Sequence, residues 1–173
     1  MNLNNSAPQK KSYNLIYALS NYLCEEAQKP IILCLGSEKV IADSLGPLVG
    51  HLLVTKYNIN TIVYGKLGRA VNANNVEAYY KHIKKTHPNQ KILTIDASMG
   101  SLQDYGTVQI KKGGIVTMAN KLATPIGDIS ITGIVLPKGC HYKMLLQKTK
   151  LHFVYELACQ IANAVYHAYQ MMY

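Results

Sequence analysis

The chain carries four aspartates, at positions 43, 96, 104 and 128. Two of them stand where a carboxylate is costly. Asp43 lies just beyond the apolar run IILCLG (31–36) and ahead of LGPLVG (45–50), and Asp96 interrupts ILTIDAS at its carboxyl end. A carboxylate at the end of a buried strand needs a partner, a hydrogen bond or a proton. Two carboxyl groups facing one cleft push their protonation steps apart and leave an acid beside a base near neutrality. Such a pair can activate a water, and it is equally a foothold for a divalent cation. Each residue also has a plainer reading: Asp43, with Ser44 as helper, suits a helix N-cap, and Asp96 suits a cap on a turn into MGS.

Around Asp43, Gly36 allows a tight exit from the first strand, and the backbone N–H groups of Gly36 and Ser37 are candidates to bind a developing oxyanion. The stretch LGSEKVIADSLG has neither the G-x-G-x-x-G of dinucleotide sites nor the G-K-[ST] of a phosphate loop, so nucleotide binding is set aside. Gly46-Pro47 implies close packing of the following helix. Cysteines at 24, 34, 140 and 159 show no C-x-x-C spacing and read as reduced thiols, with Cys34 and Cys159 inside apolar patterns. Cys140 beside His141 in a loop is a lesser nucleophile candidate.

These residues must be positioned by elements, and the pattern of apolar residues supplies them. A helix over 12–28 presents Leu15, Ile16, Leu19, Tyr22 and Leu23 on one face and stops before Pro30. The run 31–36 reads as a strand buried on both faces, followed by a helix from Asp43 to Tyr57 and a second strand TIVYG (61–65). A helix over 73–86 ends at His87-Pro88, KILTIDAS (91–98) is a third buried strand, and TVQI (107–110) and DISITGIV (128–135) are further strands. Leu151, Val154, Ala158, Ile161, Val165, Ala168 and Met172 recur at steps of three and four, a helical stripe suited to docking on the sheet, with a dimer contact as the lesser reading.

Alternating helices and buried strands predict an α/β fold: three layers, a doubly wound and mostly parallel sheet, helices on both faces. In such sheets functional groups gather beyond the carboxyl ends of the strands, where strand order reverses. The expected organisation is a disordered tail over 1–11 and one α/β domain over 12–173. No stretch has the ~20 apolar residues of a membrane span and no signal peptide is evident, so a cytoplasmic protein without membrane association is expected. The net charge is +9, yet Arg69 is the only arginine among 18 basic residues, which argues against sequence-specific nucleic-acid readout and favours an acidic protein or peptide partner.

The stretches GSEKVIADSLGPLVG, VYGKLGRAVNANN, TIDASMGS, ANKLATPIGDISITGIV and LLQKTKLHFVYELACQIA, in this order over roughly residues 30–165, resemble the sporulation protein YyaC family of spore-forming bacteria. That family is similar to the spore germination protease and, more distantly, to the hydrogenase maturation endopeptidases, with their phosphorylase/hydrolase-like fold. The germination protease has one aspartate in a D-A-L-G-P turn and one in an I-D-A strand end, both implicated in peptide hydrolysis. The matching residues here are Asp43 and Asp96, and Asp128 resembles a family position as well. Two departures matter. The maturation enzymes add a histidine metal ligand, for which His141 is the positional candidate, and Gly68-Arg69 stands where the family leads one to expect acidic residues.

The resemblance therefore implies a sporulation-associated peptidase of the mother cell or forespore, with Asp43 and Asp96 as the catalytic pair and Gly36, Ser37 and Asp128 contacting a peptide of a spore protein. A non-catalytic sporulation factor binding a partner in the same cleft is the alternative. A metal-recognising maturation-type endopeptidase, holding a divalent ion through Asp43, Asp96 and His141, is a third reading.

Overall fold

The computed structural model describes residues 6–116, 124–138 and 149–172. Strands β1 (Ile31–Cys34), β2 (Val63–Tyr64), β3 (Ile92–Gly100), β4 (Val108–Lys112) and β5 (Ile129–Pro137) form one sheet in the order β2-β1-β3-β5-β4. β2, β1, β3 and β5 run parallel, and β4 pairs antiparallel with β5 at the edge. The sheet is thus mostly parallel and lies between two helical layers. Alternation along β1 shows why its sequence is apolar throughout: Ile32 and Cys34 pack toward helices α1 (Ser6–Leu23), α2 (Leu45–Thr55) and α4 (Leu151–Gln170), while Ile31 and Leu33 pack toward α3 (Val76–Thr86).

Boundaries differ from the sequence reading in instructive ways. α1 begins at Ser6, so residues 6–11 of the expected tail belong to the helix; Pro8 is tolerated in a first turn, where its missing N–H costs nothing. It ends at Leu23, short of 28, and a turn over 24–28 leads the chain through Pro30 into β1. β3 runs on past Asp96 to Gly100, longer than expected. The stripe on α4 is buried except for Leu151, which is 54% exposed, and it is widened by Leu157, Ala162 and Tyr169. α4 packs against α1 and α2 as well as covering the sheet, and the Tyr169 hydroxyl donates to the Pro30 carbonyl at 3.0 Å.

Two glycines decide how the chain leaves β1. Gly36 has φ +139°, and a Cβ there would collide with the Asp43 carbonyl oxygen. At Gly46, in the first turn of α2, a Cβ would collide with the Leu35 backbone. The start of α2 is therefore pressed directly onto the end of β1. Because β2 lies on one side of β1 and β3 on the other, the carboxyl ends of β1 and β3 diverge into a crevice.

Gly46→Ala should destabilise the fold by about 1–3 kcal/mol or more, since the neighbour that must yield is backbone. Urea unfolding of the variant beside the Gly50→Ala and wild-type chains measures it. A Gly46→Ala midpoint equal to the wild type's would show that this contact relaxes freely.

Candidate functional site

The crevice is a cleft of about 610 Å³. Gly36, Asp43, Asn72, Asp96, Ser98 and Lys138 are among its lining residues, set in an apolar surround that includes Leu35, Val76 and Val135. Asp43 ends a short 3₁₀ turn, Ile41–Asp43, and its carbonyl accepts from the Ser37 N–H at 3.0 Å, closing the loop that begins at Gly36. The expected capping role is corrected. α2 starts at Leu45, the position ahead of it is Ser44, and neither side chain caps the helix: the Ser44 hydroxyl donates back to the Ile41 carbonyl at 2.7 Å. The 3₁₀ turn leaves the Asp43 carboxyl on the cleft wall instead.

Asp96 sits within β3, past the last residue that pairs with β1, so no turn follows for it to cap. Its Oδ1 accepts from the N–H of Ala97 at 2.8 Å. Burial first, and the negative charge of Asp43 second, push the Asp96 carboxyl up to about 8, with the Ala97 amide opposing. Burial raises Asp43 too, against the pull of the Ser37 amide. The asymmetry follows from order of titration: Asp43 ionises while Asp96 still holds its proton and is neutral, whereas Asp96 must ionise beside a charge. With Oδ1 occupied by the amide, the Asp96 proton belongs on Oδ2.

Other expectations are corrected by position. The amides of Gly36 and Ser37 are already spent, on the Val71 carbonyl at 2.9 Å and the Asp43 carbonyl at 3.0 Å, so they do not form the expected oxyanion site. Gly36 lines the cleft, whereas Ser37 does not. Asp128 lies at the opposite end of the sheet, because a residue preceding β5 in a parallel pair meets the start of β3. There its Oδ2 accepts from the Ile92 N–H at 2.9 Å, with Lys84 and Lys91 within 3.6 and 3.8 Å of the carboxylate. Asp104 closes a turn, accepting from the Ser101 hydroxyl at 2.6 Å. Arg69 is exposed and outside the cleft lining, and the neighbouring Gly68 N–H donates to the Glu38 carboxylate.

Cys140 and His141 lie outside the described residues. Cys24, Cys34 and Cys159 are free thiols; Cys34 lies outside the cleft lining, and burial together with the charge on Asp96 pushes its thiol far up, away from the reactive thiolate. Among the described residues no three His, Cys, Asp or Glu side chains converge, so the donors present do not complete a cation site. Asn72, Ser98, Thr132 and Lys138 were not singled out from sequence. Lys138 could have been: it follows the carboxyl end of a strand of the same sheet.

Residues 3–164 match the family model described as "Protein of unknown function (DUF1256)". The chain is also 35% identical over 150 residues to "Uncharacterized protein YyaC" of Bacillus subtilis (strain 168), covering 85% of this chain and 73% of that protein. No solved structure matches. No described helix is long and apolar enough to cross a membrane.

Two measurements follow from the carboxyl pair. In carboxyl NMR titrations, Asp43→Asn should lower the Asp96 midpoint from about 8 yet leave it above 3.8, because burial is the larger cause; an unmoved midpoint would show that the two groups do not share a site. Stability carries the same signature. Between about pH 4 and 8 the folded chain keeps the Asp96 proton and the unfolded chain does not, so unfolding free energy falls as pH rises, by up to ~1.4 kcal/mol per unit. Asp96→Asn should remove that slope and gain on the wild type toward pH 8, as read by urea titrations at several pH values.

Proposed function

The chain belongs to the YyaC family, DUF1256, and from that premise we propose that it is a sporulation-associated peptidase that hydrolyses a peptide bond with Asp43 and Asp96. The observation that carries this reading is the cleft-side pair itself, in which Asp96 is held protonated near neutrality beside an Asp43 that ionises first. Asp43 takes a proton from a water as its oxygen attacks the peptide carbonyl carbon. Asp96 gives its proton to the carbonyl oxygen, a role that replaces backbone oxyanion donors, since the Gly36 and Ser37 amides are engaged. Collapse of the tetrahedral intermediate returns that proton to Asp96 and delivers the one on Asp43 to the departing amine. The resemblance of the sequence around Asp43 and Asp96 to motifs of the germination protease supports the reading by analogy. It also supports a cytoplasmic setting, in the mother cell or forespore.

The same engagement of the Gly36 and Ser37 amides favours one second reading: a sporulation factor that holds a peptide in this cleft without cleaving it.

Incubation of the purified chain with a spore-protein extract, followed by mass spectrometry, separates the two. Asp43→Asn and Asp96→Asn should each abolish cleavage, and Asp104→Asn should be nearly silent. The rate should rise as Asp43 ionises above its raised midpoint and fall as Asp96 loses its proton near pH 8. Cleavage surviving both changes would sink the paired-carboxylate mechanism, and an inert wild type across pH would leave the binding factor.

A further inference from the structure

The cleft is bordered by a length of sheet edge that, among the described residues, lacks a neighbouring strand. β1 pairs with β3 only as far as Cys34 opposite Ile95, and the Leu35 amide donating to the Ile95 carbonyl at 2.7 Å is the last main-chain bond between them. β3 continues to Gly100, held on its other side by β5. Which groups are left open follows from parity. The amides of Ile31 and Leu35 donate to the carbonyls of Lys91 and Ile95, so odd-numbered residues of β3 turn their main-chain groups toward β1. The amides of Asp128 and Lys138 donate to Ile92 and Gly100, so the even-numbered ones serve β5.

Ala97 and Met99 therefore address the space that β1 has vacated. The Ala97 N–H is taken by the Asp96 carboxyl; the register with β5 shifts between Ser98 and Met99, and among the described residues no hydrogen bond outside the β3–β5 ladder uses the Ala97 carbonyl or the Met99 N–H and carbonyl. The lining of the cleft agrees, since Asp96, Ala97, Ser98 and Met99 all border it. Consecutive strand residues point to opposite faces, so a cavity that touches all four reaches the edge of β3, while Thr132, Val135 and Leu136 of β5 carry its lining across the strand ends. At the far end stands Lys138, exposed and without an ion pair among the described residues. It follows Pro137, which pairs with Gly100, four residues and about 13 Å of strand beyond Asp96.

We propose that an extended peptide adds as a strand along the open edge of β3 from Ala97 to Gly100, in line with β1, with an acidic side chain anchored on Lys138. Main-chain pairing supplies the alignment, and the apolar walls and Lys138 supply the selection. This rests on the peptidase reading only for its second consequence, that the bond beside Asp43 and Asp96 is the one cleaved. The occupant is an acidic segment of another protein, in keeping with the +9 charge of the chain. A second copy, equally basic, would bring like charge to Lys138.

The probe is a fluorescein-labelled, amidated Val-Thr-Val-Ala-Val-Glu peptide, with a Lys-ended twin, titrated by anisotropy against full-length Asp43→Asn so that turnover does not intrude. The Glu probe should bind more tightly than its twin, and Lys138→Glu should invert that order. Met99→Pro, which deletes one open N–H, should weaken binding about three- to tenfold, while Met99→Leu should not. In the chain with Met99 intact, amide exchange at Met99 should slow when the Glu probe is added, a readout that stands even if Met99→Pro does not fold. No binding of the Glu probe, an unprotected Met99 amide, or affinities indifferent to Lys138→Glu would overturn strand addition. Binding without turnover by the wild type would overturn the peptidase reading alone, and cleavage of spore protein by Lys138→Glu and Met99→Pro at the wild-type rate would overturn strand addition alone.

Discussion

The site depends on the close approach of α2 to the end of β1. Gly46 in the first turn of the helix rests on the Leu35 backbone, and Gly36 rests on the Asp43 carbonyl. Any side chain at either position would lift the helix off the strand. The contact confines the chain between Gly36 and Asp43 to a short loop closed by the Ser37 amide, and that confinement brings the Asp43 carboxyl to the carboxyl end of the sheet rather than to the helix terminus. An interaction with almost no side-chain content thus determines where an ionisable group stands.

Electrostatics follow from that placement. Asp96 is half-buried on the cleft wall among residues of the apolar strands β3 and β5, and its one amide partner compensates only part of the lost hydration. Asp43, nearer the mouth, adds a like charge where escape by protonation is the cheaper response. The result is a pair in which the Asp96 carboxyl is pushed up to about 8 and that of Asp43 is raised as well. Burial likewise keeps the Cys34 thiol protonated.

Topology then shapes what the pair can reach. In a sheet where β3 outruns β1, the residues after Asp96 are held by β5 on one side and left open on the other. The exposure of Asp96 to the cleft and, among the described residues, an edge of β3 without a strand partner follow from the same mismatch in strand length. Helical packing of α4 on α1 and α2 lies outside the cleft lining, but α4 also contacts the 3₁₀ turn that carries Asp43 and so backs the site from behind.

Much of this was open to inspection in the residues alone. Continuous apolar runs such as IILC and ILTI can only be strands covered on both faces, and the alternation of those runs with helical periodicity implies a mostly parallel sheet whose sites lie beyond the strand ends; from this Asp43 and Asp96 stand out. Local pattern could not reveal that β3 extends to Gly100, because strand length depends on the partner β5 and not on the residues' own preference. Nor could it reveal that Asp128 belongs to the opposite end of the sheet, that the Gly36 and Ser37 amides are consumed by Val71 and Asp43, or that Lys138 joins the cleft. Apart from the Ser37–Asp43 bond, which closes a short loop, those are relations between residues tens of positions apart in the chain. The sequence by itself determined the kinds of element and the two costly carboxyls, since these follow from periodicity and burial; only the tertiary structure decided which groups are spent and which are free, since a hydrogen bond is known to be used only when both of its partners have been placed.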